Sequence, residues 1–146
     1  MEQQQIEEII NYAIQRLLAN DAELLELDVS ERAVMFHLGR YIRERTPADL
    51  DVDCEYNRHL KDVKQLLYLK RLLDIEENHE VFPDILIHRR NRDDQNIVVI
   101  EIKKHGQNRD ADFRKLLAFK NEPYSYQFAV QVVIGTPNSR VEFEVI

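Results

Sequence analysis

Tryptophan is absent from this chain, and cysteine, glycine and proline are scarce: one, three and four residues among 146. A single cysteine, Cys54, rules out an internal disulfide and suits a reducing compartment. It reads as a small core residue rather than a reactive thiol. So little glycine and proline leaves no linker or low-complexity stretch, and no internal repeat is visible. Residues 1–146 therefore read as one domain, and 44% hydrophobic content is enough to build a core. No run approaches the roughly 18 consecutive apolar residues of a membrane span. The opening Met-Glu-Gln-Gln-Gln has no basic segment of the kind that starts a signal peptide. A soluble cytoplasmic protein without membrane association is the expectation. The five histidines have no paired helical or finger spacing, which argues against zinc.

Positive charge is also in short supply. Lys and Arg number 20 against 27 Asp and Glu, for a net charge of −7. That balance is opposite to the basic footprint of a typical nucleic-acid binder. The distribution is uneven, however. Residues 1–30 hold seven acids and one base, a balance of −6, whereas residues 87–120 hold nine bases and five acids, a balance of +4.

Ile6, Ile9, Ile10, Ala13, Ile14, Leu17 and Leu18 recur at helical spacing and predict a packing helix over about 2–19. Asp28-Val-Ser30 offers caps for a second helix over about 31–45, closed by Thr46-Pro47. Val34, Met35, Leu38, Tyr41 and Ile42 form its apolar stripe, and Glu31 lies on that stripe. Leu50 to Tyr56 alternates strictly, with Val52, Cys54 and Tyr56 on one face and Asp51, Asp53 and Glu55 on the other, as in a half-exposed strand. Asn57-Arg58-His59 reads as a polar corner and Leu60 to Leu73 as a helix. Asp110 to Asn121 is a further helix, stopped by Glu122-Pro123, and strands are expected over Tyr126 to Ile134 and Val141 to Ile146. The order is α-α-β-α-β-β-α-β-β: N-terminal helices in 1–47, then core sheet and helices in 50–146. The fold class is α/β, with a central mixed sheet of four to five strands flanked by helices.

The stretch from 81 to 104 carries the chemistry. Val81-Phe-Pro-Asp84-Ile-Leu-Ile-His88 and Ile97-Val-Val-Ile-Glu101-Ile-Lys103-Lys104 read as two strands around a turn-rich break, Arg89 to Asn96. Residues two apart share a strand face. Glu101 and Lys103 therefore point one way, and Phe82, Asp84, Leu86 and His88 share a face of their strand. If the break closes symmetrically, Asp84 pairs with Glu101, with Cβ atoms roughly 4.5–5.5 Å apart. Like charges so placed are destabilising, and a bound cation is the simplest compensation. His88 is expected to be partly exposed near its strand end, and Lys104 to be solvated on the opposite face.

Pro83-Asp84, a gap, then Glu101-Ile102-Lys103 resembles the PD-(D/E)XK motif of the restriction-endonuclease-like nucleases. The predicted element order is similar to their αβββαβ core, with extra helices in front and between. The resemblance implies metal-assisted phosphodiester hydrolysis, with DNA the first substrate to expect. It implies Asp84, Glu101 and the backbone carbonyl of Ile102 as ligands and Lys103 as the group that acts on water and transition state. These hard oxygen donors suit Mg²⁺ or Mn²⁺. The family also suggests Glu31 as an additional metal ligand and Gln107 or Lys115 as additional substrate-binding residues. A short chain of this charge would then work as a homodimer or with a partner protein that supplies affinity. Two other readings stay open: a non-catalytic member of the same fold acting as a binding or assembly module, and an ordinary α/β interaction protein whose Glu101 and Lys103 are a surface pair.

Overall fold

The computed structural model describes residues 1–28, 30–56, 82–136, 138 and 140–146. The expected corner at Asn57-Arg58-His59, the expected helix from Leu60 to Leu73, and Val81 lie outside the described residues.

Helix α1, Gln3–Asn20, buries Ile6, Ile9, Ile10, Ala13, Ile14 and Leu17, the stripe that its three-and-four spacing dictates. Its first turn closes locally, the Glu2 amide donating to Gln5 Oε1 at 2.8 Å. A single turn, α2 at Glu23–Glu26, follows; four residues are too few to show a period. Helix α3, Glu31–Arg45, has the expected bounds, but Ser30 caps it by position only, since its side chain makes no capping bond. Past the C-terminus of α3, Arg43 ties down the chain that follows, donating to the carbonyls of Thr46 and Pro47 at 2.7 and 2.8 Å and to that of Leu50.

Five strands form one mixed sheet: β1 Asp51–Cys54, β2 Ile85–Arg89, β3 Arg92–Lys104, β4 Phe128–Ile134 and β5 Val141–Val145. They lie side by side in chain order. β1, β2 and β3 pair antiparallel, β3 and β4 pair parallel, and β5 returns antiparallel to β4. The parallel step needs a crossover, and α4, Asp110–Lys120, supplies it. The fold is thus α/β with a five-stranded mixed open sheet and four helices among the described residues.

Each face of the sheet carries its own core. Ile85, Ile87, Val98, Ile100, Ile102, Val130 and Val132 pack with α1 and α3, while Leu86, Val99 and Ala129 pack with Leu116 and Phe119 of α4 and with Tyr124 and Tyr126. These alternate positions assign every other residue of β2, β3 and β4 to a known side.

Three local expectations are corrected. Arg89 to Asn96 is not an eight-residue break: β3 begins at Arg92, and the turn is confined to Arg90 and Asn91, the latter at φ +62°. The expected register survives because β3 bulges. The pairing moves from Arg89↔Arg92 through His88↔Asn96 to Ile87↔Val98 and Ile85↔Ile100. β1 loses its alternation at Glu55, whose φ of +51° turns Tyr56 onto the α4 side against His88. Cys54, at the exposed end of this edge strand, is not a core residue.

Candidate active site

Continuing the Ile85↔Ile100 register by one residue sets Asp84, at the mouth of β2, opposite Glu101 near the C-terminal end of β3. Leu86 and Val99 belong to the α4-side core, so Asp84, Glu101 and Lys103 all project toward α4. Asp84 is fixed by its own neighbourhood. Its Oδ2 accepts the Ile102 amide at 2.7 Å, and its carbonyl accepts the Glu55 amide at 3.1 Å. Glu101 is 3% exposed.

Helix α4 provides the counter-charges. Lys115 Nζ lies 2.8 Å from Glu101 Oε1 and donates to the Phe82 carbonyl at 2.6 Å. Asp112, one turn earlier, holds Lys103 Nζ at 3.0 Å from its Oδ2. Two ion pairs therefore cross between β3 and α4, acid to base in one and base to acid in the other. Lys115 occupies the position beside Glu101 where a cation is needed, and the lysine of the motif is turned toward Asp112.

Burial pushes the Glu101 carboxyl up to about 8; Lys115 opposes the rise, and the charges of Asp84 and Asp112 add to it. Asp84 is also raised, again by burial first, against the Ile102 amide and Lys115, with Glu31 and Asp112 adding repulsion. For Lys103, burial works downward, but its hydrogen bond and attraction to Asp112 outweigh it and leave the ammonium above its usual range. The site is a closely balanced patch in which each carboxylate disfavours ionisation of the other.

The remaining candidates divide. Glu31 opens the first turn of α3, and its charge acts on both Asp84 and Lys103. Lys115 enters the site directly. Gln107 does not join the acid pair; it lines a cavity of about 250 Å³ with Leu24, Asp28, Lys104 and His105. Lys104, on the opposite face as expected, pairs with Asp28 at 2.9 Å. His88 is corrected from partly exposed to buried, at 4% exposure. The register Asp51↔His88 and Asp53↔Leu86 places it across from β1, and its Nε2 lies 2.8 Å from Asp53 Oδ2 under the Tyr56 ring.

Comparison of the chain with protein-family models, with curated proteins and with solved structures gives no match.

Two participants escaped the sequence reading, Asp112 and Gln131. Asp112 and Lys115 lie three apart and continue the stripe of Leu116 and Phe119, so charges on the inward face of α4 were the available signal. Gln131 pairs in register with Glu101 across the parallel step and is 4% exposed. A glutamine inside an apolar strand was its only mark. Among the described residues, no three His, Cys, Asp or Glu side chains converge as a metal cluster, and no helix is long and apolar enough to cross a membrane.

Proposed function

We propose that this chain is a metal-dependent nuclease that hydrolyses phosphodiester bonds by PD-(D/E)XK chemistry, with DNA as the substrate and Asp84, Glu101 and Lys103 as the catalytic residues. One observation carries the reading: Asp84 and Glu101 stand opposite each other on neighbouring strands, on one face, with Lys103 two residues on. Two carboxylates and nearby backbone carbonyls, without a third acidic or imidazole ligand among the described residues, suit an ion that keeps much of its own water. That is the habit of Mg²⁺, and Mn²⁺ takes similar donors. The need for a cation is already met in part by Lys115 at 2.8 Å from Glu101.

In this reading Asp84, Glu101 and the carbonyl of Ile102 hold the ion, with Glu31 at its rim. When bound, the ion supplies an acidified water and neutralises charge on the scissile phosphate. Glu101 must be ionised to hold it, and Lys115 favours that form. Lys103 leaves Asp112 to donate to the phosphate oxygens as negative charge develops there, a contribution that must be greater in the transition state than in the ground state. The basic balance of residues 87–120 would attract the polyanion, and the net charge of −7 favours a homodimer or a partner protein for the remaining affinity.

A second reading also has an observation behind it. With Lys115 on Glu101 and Lys103 on Asp112, the patch is neutralised internally, as it would be in a non-catalytic binding module of the same fold. Cleavage of plasmid DNA with Mg²⁺ or Mn²⁺ separates the two. The nuclease reading expects Lys103→Ala to lose about 10²–10³ in rate while keeping metal-induced thermal stabilisation, and Asp84→Asn to lose both. Cleavage unchanged in both variants would refute it.

A further inference from the structure

Beside Glu101, the same sheet face continues into an unassigned cavity. The registers Glu101↔Gln131 and Gln131↔Glu144 set Asp84, Glu101, Gln131 and Glu144 in one row across β2 to β5. Neighbouring strands lie about 4.8 Å apart, so the cavity adjoins the proposed catalytic carboxylates. It measures about 180 Å³, and Arg109 at the start of α4, Gln131, Glu142 and Glu144 give it polar walls. The Gln131 side chain is 96% buried by its 4% exposure, yet its Nε2 has no hydrogen-bond partner among the described residues. A buried donor left unpaired costs about 1–3 kcal/mol. Turned into the cavity that Gln131 lines, this amide would find an acceptor on a ligand there and lose that cost.

The chemistry of the walls narrows the ligand. The amide of Gln131 can donate to a ring nitrogen or carbonyl, and the ionised carboxylates of Glu142 and Glu144, which can only accept, suit an exocyclic amine on the same ring. Arg109 offers the single cationic group, suited to a phosphate at the rim. The volume lies below the 300–1,000 Å³ common for drug-sized ligands, which fits one planar heterocycle and excludes a base pair. We infer that the cavity lined by Arg109, Gln131, Glu142 and Glu144 is a subsite for a single unpaired, amine-bearing nucleobase flanking the phosphate to be cut. The inference rests on the nuclease reading for its place beside a scissile bond, but the binding itself does not require cleavage. It narrows the substrate to nucleic acid with an unstacked base at this position, and makes Gln131 and Glu144 specificity residues.

Isotope-labelled full-length protein in chelator, titrated with deoxycytidine 5′-monophosphate or thymidine 5′-monophosphate and followed by NMR, tests the subsite. The side-chain amide signals of Gln131 should move with the cytosine nucleotide. Thymidine, which lacks an exocyclic amine, should bind about five- to a hundredfold more weakly. The exposed Glu144→Gln variant should lose most of that preference, with its amide spectrum otherwise unchanged. Unmoved Gln131 signals at millimolar nucleotide, or equal responses to the two nucleotides, would overturn the subsite. If that happens while Mg²⁺ still stabilises the protein through Asp84, the nuclease reading stands alone. Selective binding at Gln131 without any metal response would keep the subsite and refute the nuclease reading.

Discussion

Removing the Lys115 ammonium isolates the electrostatics of the candidate site. Lys115→Met keeps the length of the side chain and deletes both its contact with Glu101 Oε1 at 2.8 Å and its bond to the Phe82 carbonyl at 2.6 Å. The partners are 17% and 4% exposed, so solvent gives the abandoned carboxylate little relief. Breaking a buried pair from one side costs about 3–5 kcal/mol when the remaining charge must persist. Glu101 has an escape: burial already pushes it up to about 8, so below that pH it takes a proton. Only the hydrogen bonds of Lys115 are then lost, about 1 kcal/mol. The native carboxyl binds its proton more tightly than the unfolded one, with its reference value of 4.5. Its contribution to stability is therefore full below 4.5 and is lost as pH rises through about 8. Urea unfolding of metal-free protein, followed by circular dichroism at about pH 6 and about pH 9, should give a cost for Lys115→Met that grows from about 1 to about 2.5 kcal/mol, because keeping the Glu101 proton one pH unit above 8 costs about 1.4 kcal/mol. In a Glu101→Gln background the pH 9 cost should fall back to about 1 kcal/mol. An equal cost at both pH values, unchanged by Glu101→Gln, would refute the coupling.

Mg²⁺ at about one hundred times its dissociation constant should stabilise the protein by about 2.7 kcal/mol, read as a rise of several degrees in melting temperature, and Asp84→Asn should abolish the rise. Asp53 behaves oppositely to Glu101. Burial raises it, but hydrogen bonds and attraction from Arg90 and His88 outweigh that and hold it below its usual 3.8. Its contribution is therefore present above pH 3.8 and lost as pH falls through the lower native value. Asp53→Asn should cost about 1.5–3 kcal/mol near neutrality and progressively less under acid, measured by urea unfolding across pH. At Gly39 an added Cβ would meet Cys54 Sγ at 2.9 Å. Gly39→Ala should gain about 1 kcal/mol of helix propensity, offset by what it costs to turn the Sγ of the exposed Cys54 aside. In a Cys54→Ala background the same change should show the whole of that gain, which thermal melts of the four proteins would reveal.

Long periodic segments were legible because burial on one face of a helix imposes three-and-four spacing. That is why α1, α3 and α4 fall where their apolar stripes place them. Likewise, apolar runs marked the inner strands, and period-two alternation placed Asp84, Glu101 and Lys103 on shared faces before any tertiary contact was known. Even the 84–101 register was readable, although through a loop that proved to be a tight turn and a bulged strand of the same total length. Residue pairs far apart in sequence were not readable, because local periodicity carries no information about which helix covers which face. The tertiary structure alone put α4 over Glu101, gave Lys115 to Glu101 and Lys103 to Asp112, buried His88 against Asp53, and carried Gln107 away to another cavity. It also put Gln131 in register beside Glu101 through the parallel crossover. The chain by itself determined which side chains could do chemistry; packing α4 across the sheet decided which charges neutralise one another and where an unsatisfied donor remains.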